Sequence, residues 1–123
     1  MADRRVEIQK GMTLVLLETP FAGDVERNLA FLDDCMRDSL LRGEAPFASH
    51  RLYTTALDDL IPEEREIGIT AGLVWGELAE KTVVYVNLGI SPGMRRGIDR
   101  ALECGRIIEY RELMPGQYRR WRP

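Results

Sequence analysis

Residues 83–94 have the sequence VVYVNLGISPGM, and this stretch decides the fold. Val83 to Val86 form a short β-rich apolar run, which is typical of a strand buried inside a parallel sheet. Ser91 is a favourable helix N-cap, and Pro92 then takes the first helical position, where its missing N–H costs nothing. The stretch predicts a strand, a turn and a helix. Either the first N–H groups of this helix bind an anion, or the stretch is a plain strand-to-helix connection with a good cap.

Strands and helices alternate on both sides of this stretch. The predicted elements are a central strand at 13–18, a helix from Asp24 to about Arg42, a short edge strand within 44–50, an irregular segment at 51–61, a helix from Pro62 to about Glu80, a strand at 82–87, a helix at 92–104 and a strand at 106–110. This alternation predicts one flavodoxin-like three-layer α/β domain with a parallel sheet of about four strands in the order 2-1-3-4. The domain spans 12–113, between an N-terminal arm at 1–11 and a C-terminal tail at 114–123.

The apolar periodicity predicts which side of each helix is buried. In the first long helix the buried stripe is Val25, Leu29, Leu32, Met36 and Leu40, with Asp34 on the solvent side. In the last helix it is Met94, Ile98, Ala101 and Leu102. Gly68, Gly72 and Gly76 recur on one face of the middle helix, where they permit close approach of another element. The tail aromatics Tyr118 and Trp121 are expected to pack on the body or on a neighbouring subunit.

Composition excludes several classes of function. The chain has 123 residues and a net charge of −3, which gives no reason to expect a nucleic acid polymer or a membrane surface as partner. No apolar run approaches the roughly 20 residues that span a bilayer. Cys35 and Cys104 are predicted to be reduced thiols of a cytoplasmic protein. Neither they nor His50 have partners at metal-ligand spacing, so we expect no metal and no cofactor.

Three loops are predicted to meet at the carboxyl edge of the sheet, at 18–24, 49–59 and 87–93. They carry carboxylates beside hydroxyl and amide donors, a combination that suits a sugar. They also offer a helix N-terminus and Arg27, which together suit a phosphate. His50 is either a general acid/base, a phosphate ligand or an ordinary loop residue. The candidate ligand-binding residues at this edge include Glu18, Asp24, Arg27, His50, Asn87 and Ser91.

Four motifs in the same order resemble a known family. They are FAGDVERN at 21–28, APFASH at 45–50, PEEREIGI at 62–69 and SPGM at 91–94. Together they resemble small phage and bacterial proteins that are similar to nucleoside 2-deoxyribosyltransferases, a superfamily that also includes nucleotide N-glycosidases. The resemblance covers roughly residues 13–111 and implies a nucleoside or nucleotide as the small-molecule partner.

The resemblance also implies roles for individual residues. Ser91, Gly93 and Met94 belong to the turn that binds phosphate or sugar oxygens, and the loop at 19–24, with Phe21 and Gly23, closes over the sugar. Catalytic members of the superfamily place a glutamate nucleophile four residues after the turn glycine, and that position is Gly97 in this chain. Asp99 cannot replace it, because two residues along a helix rotate the side chain by about 200°.

Two functions therefore remain open. The first is an N-glycosidase or deoxyribosyltransferase in which another carboxylate supplies the chemistry. The catalytic candidates are Asp58, Asp59 and Glu66, and Glu18 is a further candidate. Glu66, in the first turns of its helix, is alternatively a helix-start charge. The second is a non-catalytic protein that binds or sequesters a nucleotide-type ligand; a structural oligomer with a vestigial pocket is a weaker third. We expect a homodimer or larger homo-oligomer.

Overall fold

The computed structural model describes residues 11–123, so the predicted arm lies almost entirely outside the described residues. The strands are β1 (Thr13–Glu18), β2 (Glu44–Phe47), β3 (Lys81–Tyr85) and β4 (Ile107–Arg111). The helices are α1 (Val25–Leu41), α2 (Ser49–Leu52), α3 (Pro62–Gly76) and α4 (Pro92–Glu103), with single 3₁₀ turns at Tyr53–Thr55 and Pro115–Gln117.

All four strands are parallel and lie in the order β2-β1-β3-β4, as predicted. Helix α1 packs on one face of the sheet, where Phe31 and Leu32 join a buried cluster with Val83. Helix α4 packs on the other face through Met94 and Ile98. The chain is therefore a single three-layer α/β domain, and the carboxyl ends of its strands meet at one edge.

The buried side of α1 differs from the prediction. Leu40 is 51% exposed and Val25 is also exposed, whereas Asp34 is buried. The carboxylate of Asp34 accepts backbone N–H hydrogen bonds from Arg119, Arg120 and Trp121 at 2.9–3.1 Å. The C-terminal tail therefore lies across this side of α1. The carboxylate of Asp34 can be buried because it pairs with the backbone donors of the tail.

The tail aromatics pack on the body of the same chain. Trp121 is buried, and its ring meets that of Phe31 edge to face with centroids 4.9 Å apart. Tyr118 contacts Trp121 in the same way at 4.8 Å. These contacts extend the core on the α1 face beyond the domain boundary at residue 113 that the sequence predicts.

Helices α3 and α4 each differ from the prediction at one point. Leu102 was expected in the buried stripe of α4 but is 65% exposed, because Ala101 faces the sheet and the next residue is rotated by about 100°. Helix α3 ends at Gly76 rather than near Glu80. Its glycines do permit close approach: a Cβ on Gly72 would lie 2.5 Å from Ser49 Cβ.

A buried ionic network on the α1 face was not predicted. Arg111, at the end of β4, donates two hydrogen bonds of 2.8 and 2.6 Å to Glu44 at the start of β2. These bonds, with others from Ser39 and Lys81, lower the pKa of Glu44 to about 2. The network reaches across the sheet and links the edge strand β2 to the opposite edge strand β4.

Within residues 11–123, no helix is long and apolar enough to cross a membrane.

Candidate functional site

A cavity of about 120 Å³ opens at the carboxyl end of β1, between α2, α3 and the N-terminus of α4. Parallel α/β sheets bind their ligands at this edge. The predicted site residues that line the cavity are Glu18, Phe21, His50, Asp59, Ser91, Gly93 and Met94. The fold thus brings together residues that are up to 76 positions apart in the sequence, Glu18 and Met94.

Two of the three predicted catalytic carboxylates lie outside the cavity. Glu66 forms a two-point ion pair with Arg96, both bonds 2.8 Å long, and its side chain is largely exposed. Asp58 accepts the backbone N–H of Leu60 at 2.9 Å and so stabilises the turn before α3. Only Asp59 lines the cavity.

Four predicted ligand-binding residues also lie outside it. Asp24 caps α1 by accepting the N–H of Arg27 at 3.1 Å, and the guanidinium of Arg27 bonds the side chain of Asn28. Asn87 pairs with both backbone groups of Leu113 at 2.8 and 3.0 Å. Gly23 forms an exposed turn with a φ of 98°. Their hydrogen bonds and turn geometry hold the loops that frame the cavity.

Glu18 is the central group of the cavity. A Cβ built on Gly97 would overlap the carboxyl group of Glu18 and would lie 2.9 Å from even its more distant oxygen. A side chain at position 97 would therefore have to displace the carboxyl group from β1, which fills the space in which that side chain would begin. Within the described part of the chain, no hydrogen bond is made by this carboxyl group.

The surroundings of Glu18 change its ionisation. Burial raises the pKa of Glu18 to about 8, and the positive charge of Arg106 only partly opposes this effect. A carboxyl group in an apolar site favours its neutral form, since the charged form loses its hydration. Glu18 is therefore mostly protonated at pH 7 in the free protein.

His50 and Thr19 form a second polar pair in the cavity. His50 Nε2 and Thr19 Oγ1 are 2.6 Å apart, and both residues line the cavity. Burial lowers the pKa of His50 to about 4, so the imidazole is neutral at pH 7. Thr19 directly follows β1, which places its hydroxyl group beside the first turn of α2.

The N-terminus of α4 forms the opposite wall. Ser91 Oγ accepts the N–H of Met94 at 3.2 Å, which caps the helix as predicted. The guanidinium of Arg65 approaches this turn: its Nη2 lies 3.8 Å from the position of a Cβ on Gly93. Arg65 also lies 3.7 Å from a carboxylate oxygen of Asp59. A cation and the helix N-terminus thus share one end of the cavity.

Sequence reasoning missed Thr19 and Arg65 as individual site residues. Thr19 carries a signal in its place immediately after a central strand, where side chains reach the ligand edge. Arg65 carries no such signal, because its position over Gly93 depends on how α3 packs against α4. In residues 11–123 no cluster of three or more potential ligand side chains is arranged to hold a metal ion.

Comparison with known families matches residues 13–111 to a domain of unknown function, DUF7768. This match covers most of the chain, so the protein belongs to that family. Comparison with curated proteins and with solved structures finds no match.

The contact between Glu18 and Gly97 predicts a measurable coupling. Gly97→Ala should lower the free energy of unfolding by about 1–3 kcal/mol, because the new methyl group displaces the carboxyl group of Glu18. The double variant Glu18→Ala/Gly97→Ala removes that clash, so the two substitutions should be less damaging together than their sum. Urea denaturation of the four proteins gives the cycle. Strictly additive free energies would show that the two residues are not in contact.

Proposed function

We propose that this chain, as a member of that domain family, is an enzyme that acts on the N-glycosidic bond of a nucleoside or nucleotide. One observation carries the proposal: the carboxyl group of Glu18 lies where a side chain at position 97 would begin. In the deoxyribosyltransferases that the sequence resembles, that helix position bears the glutamate nucleophile. The chain thus keeps a carboxyl group in the same region of the cavity but supplies it from β1 instead of α4.

Glu18 would then act as the nucleophile. Its carboxylate oxygen attacks the anomeric carbon of the sugar while the C–N bond breaks, and the electron pair leaves with the base, which takes up a proton from water. The resulting glycosyl ester is released by water in a hydrolase or by a second base in a transferase. Asp59 has an ion-pair partner in Arg65, whereas Glu18 has no such partner among residues 11–123, and this difference favours Glu18 as the attacking group.

The other walls suit the remaining parts of such a ligand. The N–H groups that begin α4 and the guanidinium of Arg65 suit phosphate or sugar oxygens. Phe21 and Tyr53 provide aromatic surface for a base. A nucleotide would place its sugar between these two regions, beside Glu18.

A second candidate is a protein that binds the same ligand without cleaving it. The observation that favours it is the pKa of Glu18, about 8, because a protonated carboxyl group donates a hydrogen bond and does not attack carbon. The two candidates differ in one measurable property, which is release of the free base.

The test is base release from the four 2′-deoxynucleosides and their 5′-monophosphates, followed by chromatography. The wild type should release base, and kcat/KM should rise with pH toward a plateau above about 8, since only ionised Glu18 attacks. Glu18→Gln should lose at least about 100-fold in kcat, as expected when a covalent route is removed. Glu66→Gln is the matched control, because that carboxylate lies outside the cavity, and it should retain activity.

Three outcomes would decide between the candidates. Full activity in Glu18→Gln would contradict the role of Glu18. Binding of a nucleotide without release of base would favour the non-catalytic protein. The variant Glu18→Ala/Gly97→Glu moves the carboxyl group to the helix position, and recovery of activity relative to Glu18→Ala would support the proposed equivalence of the two positions.

We also propose that the protein forms a homodimer through the outer face of α3. Ile67, Val74 and Trp75 are exposed on this helix, and a small domain gains stability by covering such side chains. Light scattering at micromolar concentration should give twice the monomer mass. Val74→Glu should shift the mass toward the monomer, and a wild type that is monomeric at this concentration would contradict the proposal.

A further inference from the structure

The hydroxyl group of Thr19 has few hydrogen-bonding choices. Thr19 is 4% exposed, and its hydrogen bond to His50 Nε2 is the only one that its side chain makes with residues 11–123. If Nε2 carried the ring proton, the hydroxyl group would accept that bond and its own hydrogen would have no acceptor among residues 11–123. Leaving a buried donor unpaired costs about 1–3 kcal/mol. The hydroxyl group therefore donates to Nε2.

This direction of the bond determines the tautomer of His50. A neutral imidazole carries one proton, so a ring that accepts at Nε2 carries its proton at Nδ1. Burial keeps the pKa of His50 near 4, and the ring is therefore not doubly protonated at neutral pH. The usual preference of a free imidazole for a proton on Nε2 is overridden by one neighbouring hydroxyl group.

The protonated nitrogen is left available for a ligand. Nδ1 makes no hydrogen bond to any residue of the described range 11–123. No buried polar side-chain atom in that range lacks a partner, so Nδ1 belongs to the accessible part of the ring. The open space that His50 lines is the cavity beside Glu18.

We propose that Thr19 is a positioning residue that holds His50 as a fixed hydrogen-bond donor, and that Nδ1–H of His50 selects ligands that present an acceptor oxygen from the sugar or the base. The identity of the ligand rests on the proposed function, whereas the tautomer does not. An ordinary buried histidine in either tautomer would not distinguish between ligands in this way.

The tautomer can be measured directly because His50 is the only histidine of the chain. Long-range ¹H–¹⁵N spectra at pH 7 should show a single imidazole with its proton on Nδ1. Thr19→Val removes the hydroxyl group at nearly constant volume and should move the proton to Nε2. A wild-type ring protonated at Nε2, or a spectrum that Thr19→Val leaves unchanged, would overturn the assignment.

Recognition is tested with two replacements of His50. The amide of asparagine reproduces the position of Nδ1, and that of glutamine reproduces the position of Nε2. Calorimetry with the four 2′-deoxynucleoside 5′-monophosphates should therefore show binding by His50→Asn close to that of the wild type. His50→Gln keeps the contact with Thr19 but should bind about tenfold more weakly, the effect of one lost hydrogen bond to the ligand.

If instead His50→Gln binds like the wild type and His50→Asn binds more weakly, then binding depends on the contact with Thr19 and not on the cavity-facing nitrogen. That result would overturn the recognition role. If the wild type binds none of these nucleotides, the proposed function fails, and the recognition of their sugar or base fails with it. The ring spectrum still decides for or against the fixed donor in that case. Failure of the two proposals is thus distinguishable.

Discussion

The close approach of α4 to the end of β1 is the contact on which the site depends. It brings Gly97 against the carboxyl group of Glu18, which occupies the space where a side chain at this position would begin. A side chain at position 97 and the carboxyl group of Glu18 would compete for the same space. One contact therefore sets both the packing of a helix on the sheet and the chemistry at the ligand edge.

Much of the fold could be predicted from the sequence. The buried run before Ser91, the proline after it and the regular alternation of elements were sufficient for a four-stranded parallel sheet in the order 2-1-3-4. The errors concern burial. The helical periodicity predicts Asp34 in solvent because it describes one helix alone, whereas backbone donors from a tail 85 residues away in the chain bury this residue. Such a partner leaves no trace in the local pattern.

The site was harder to predict for a related reason. Asp58 and Glu66 are carboxylates in the right part of the chain, but a turn and an ion pair with Arg96 hold them outside the cavity. Sequence spacing showed that position 97 lacks a side chain, but it could not show which neighbour fills the space. Burial favours the neutral forms of Glu18 and His50 at pH 7, so these two groups add little charge to a cavity that the paired Arg65 and Asp59 also line.

The central claim is that Glu18 takes the role of the helix glutamate, and trapping of the covalent intermediate tests it most directly. A 2′-fluoro-2′-deoxynucleoside slows the breakdown of a glycosyl ester, because its fluorine withdraws electrons from the anomeric carbon. Incubation above pH 8, proteolysis and mass spectrometry should show one fluorosugar adduct on Glu18, and Glu18→Gln should show none. An adduct on Asp59 or on any other carboxylate, or release of base with no adduct on Glu18, would contradict the account.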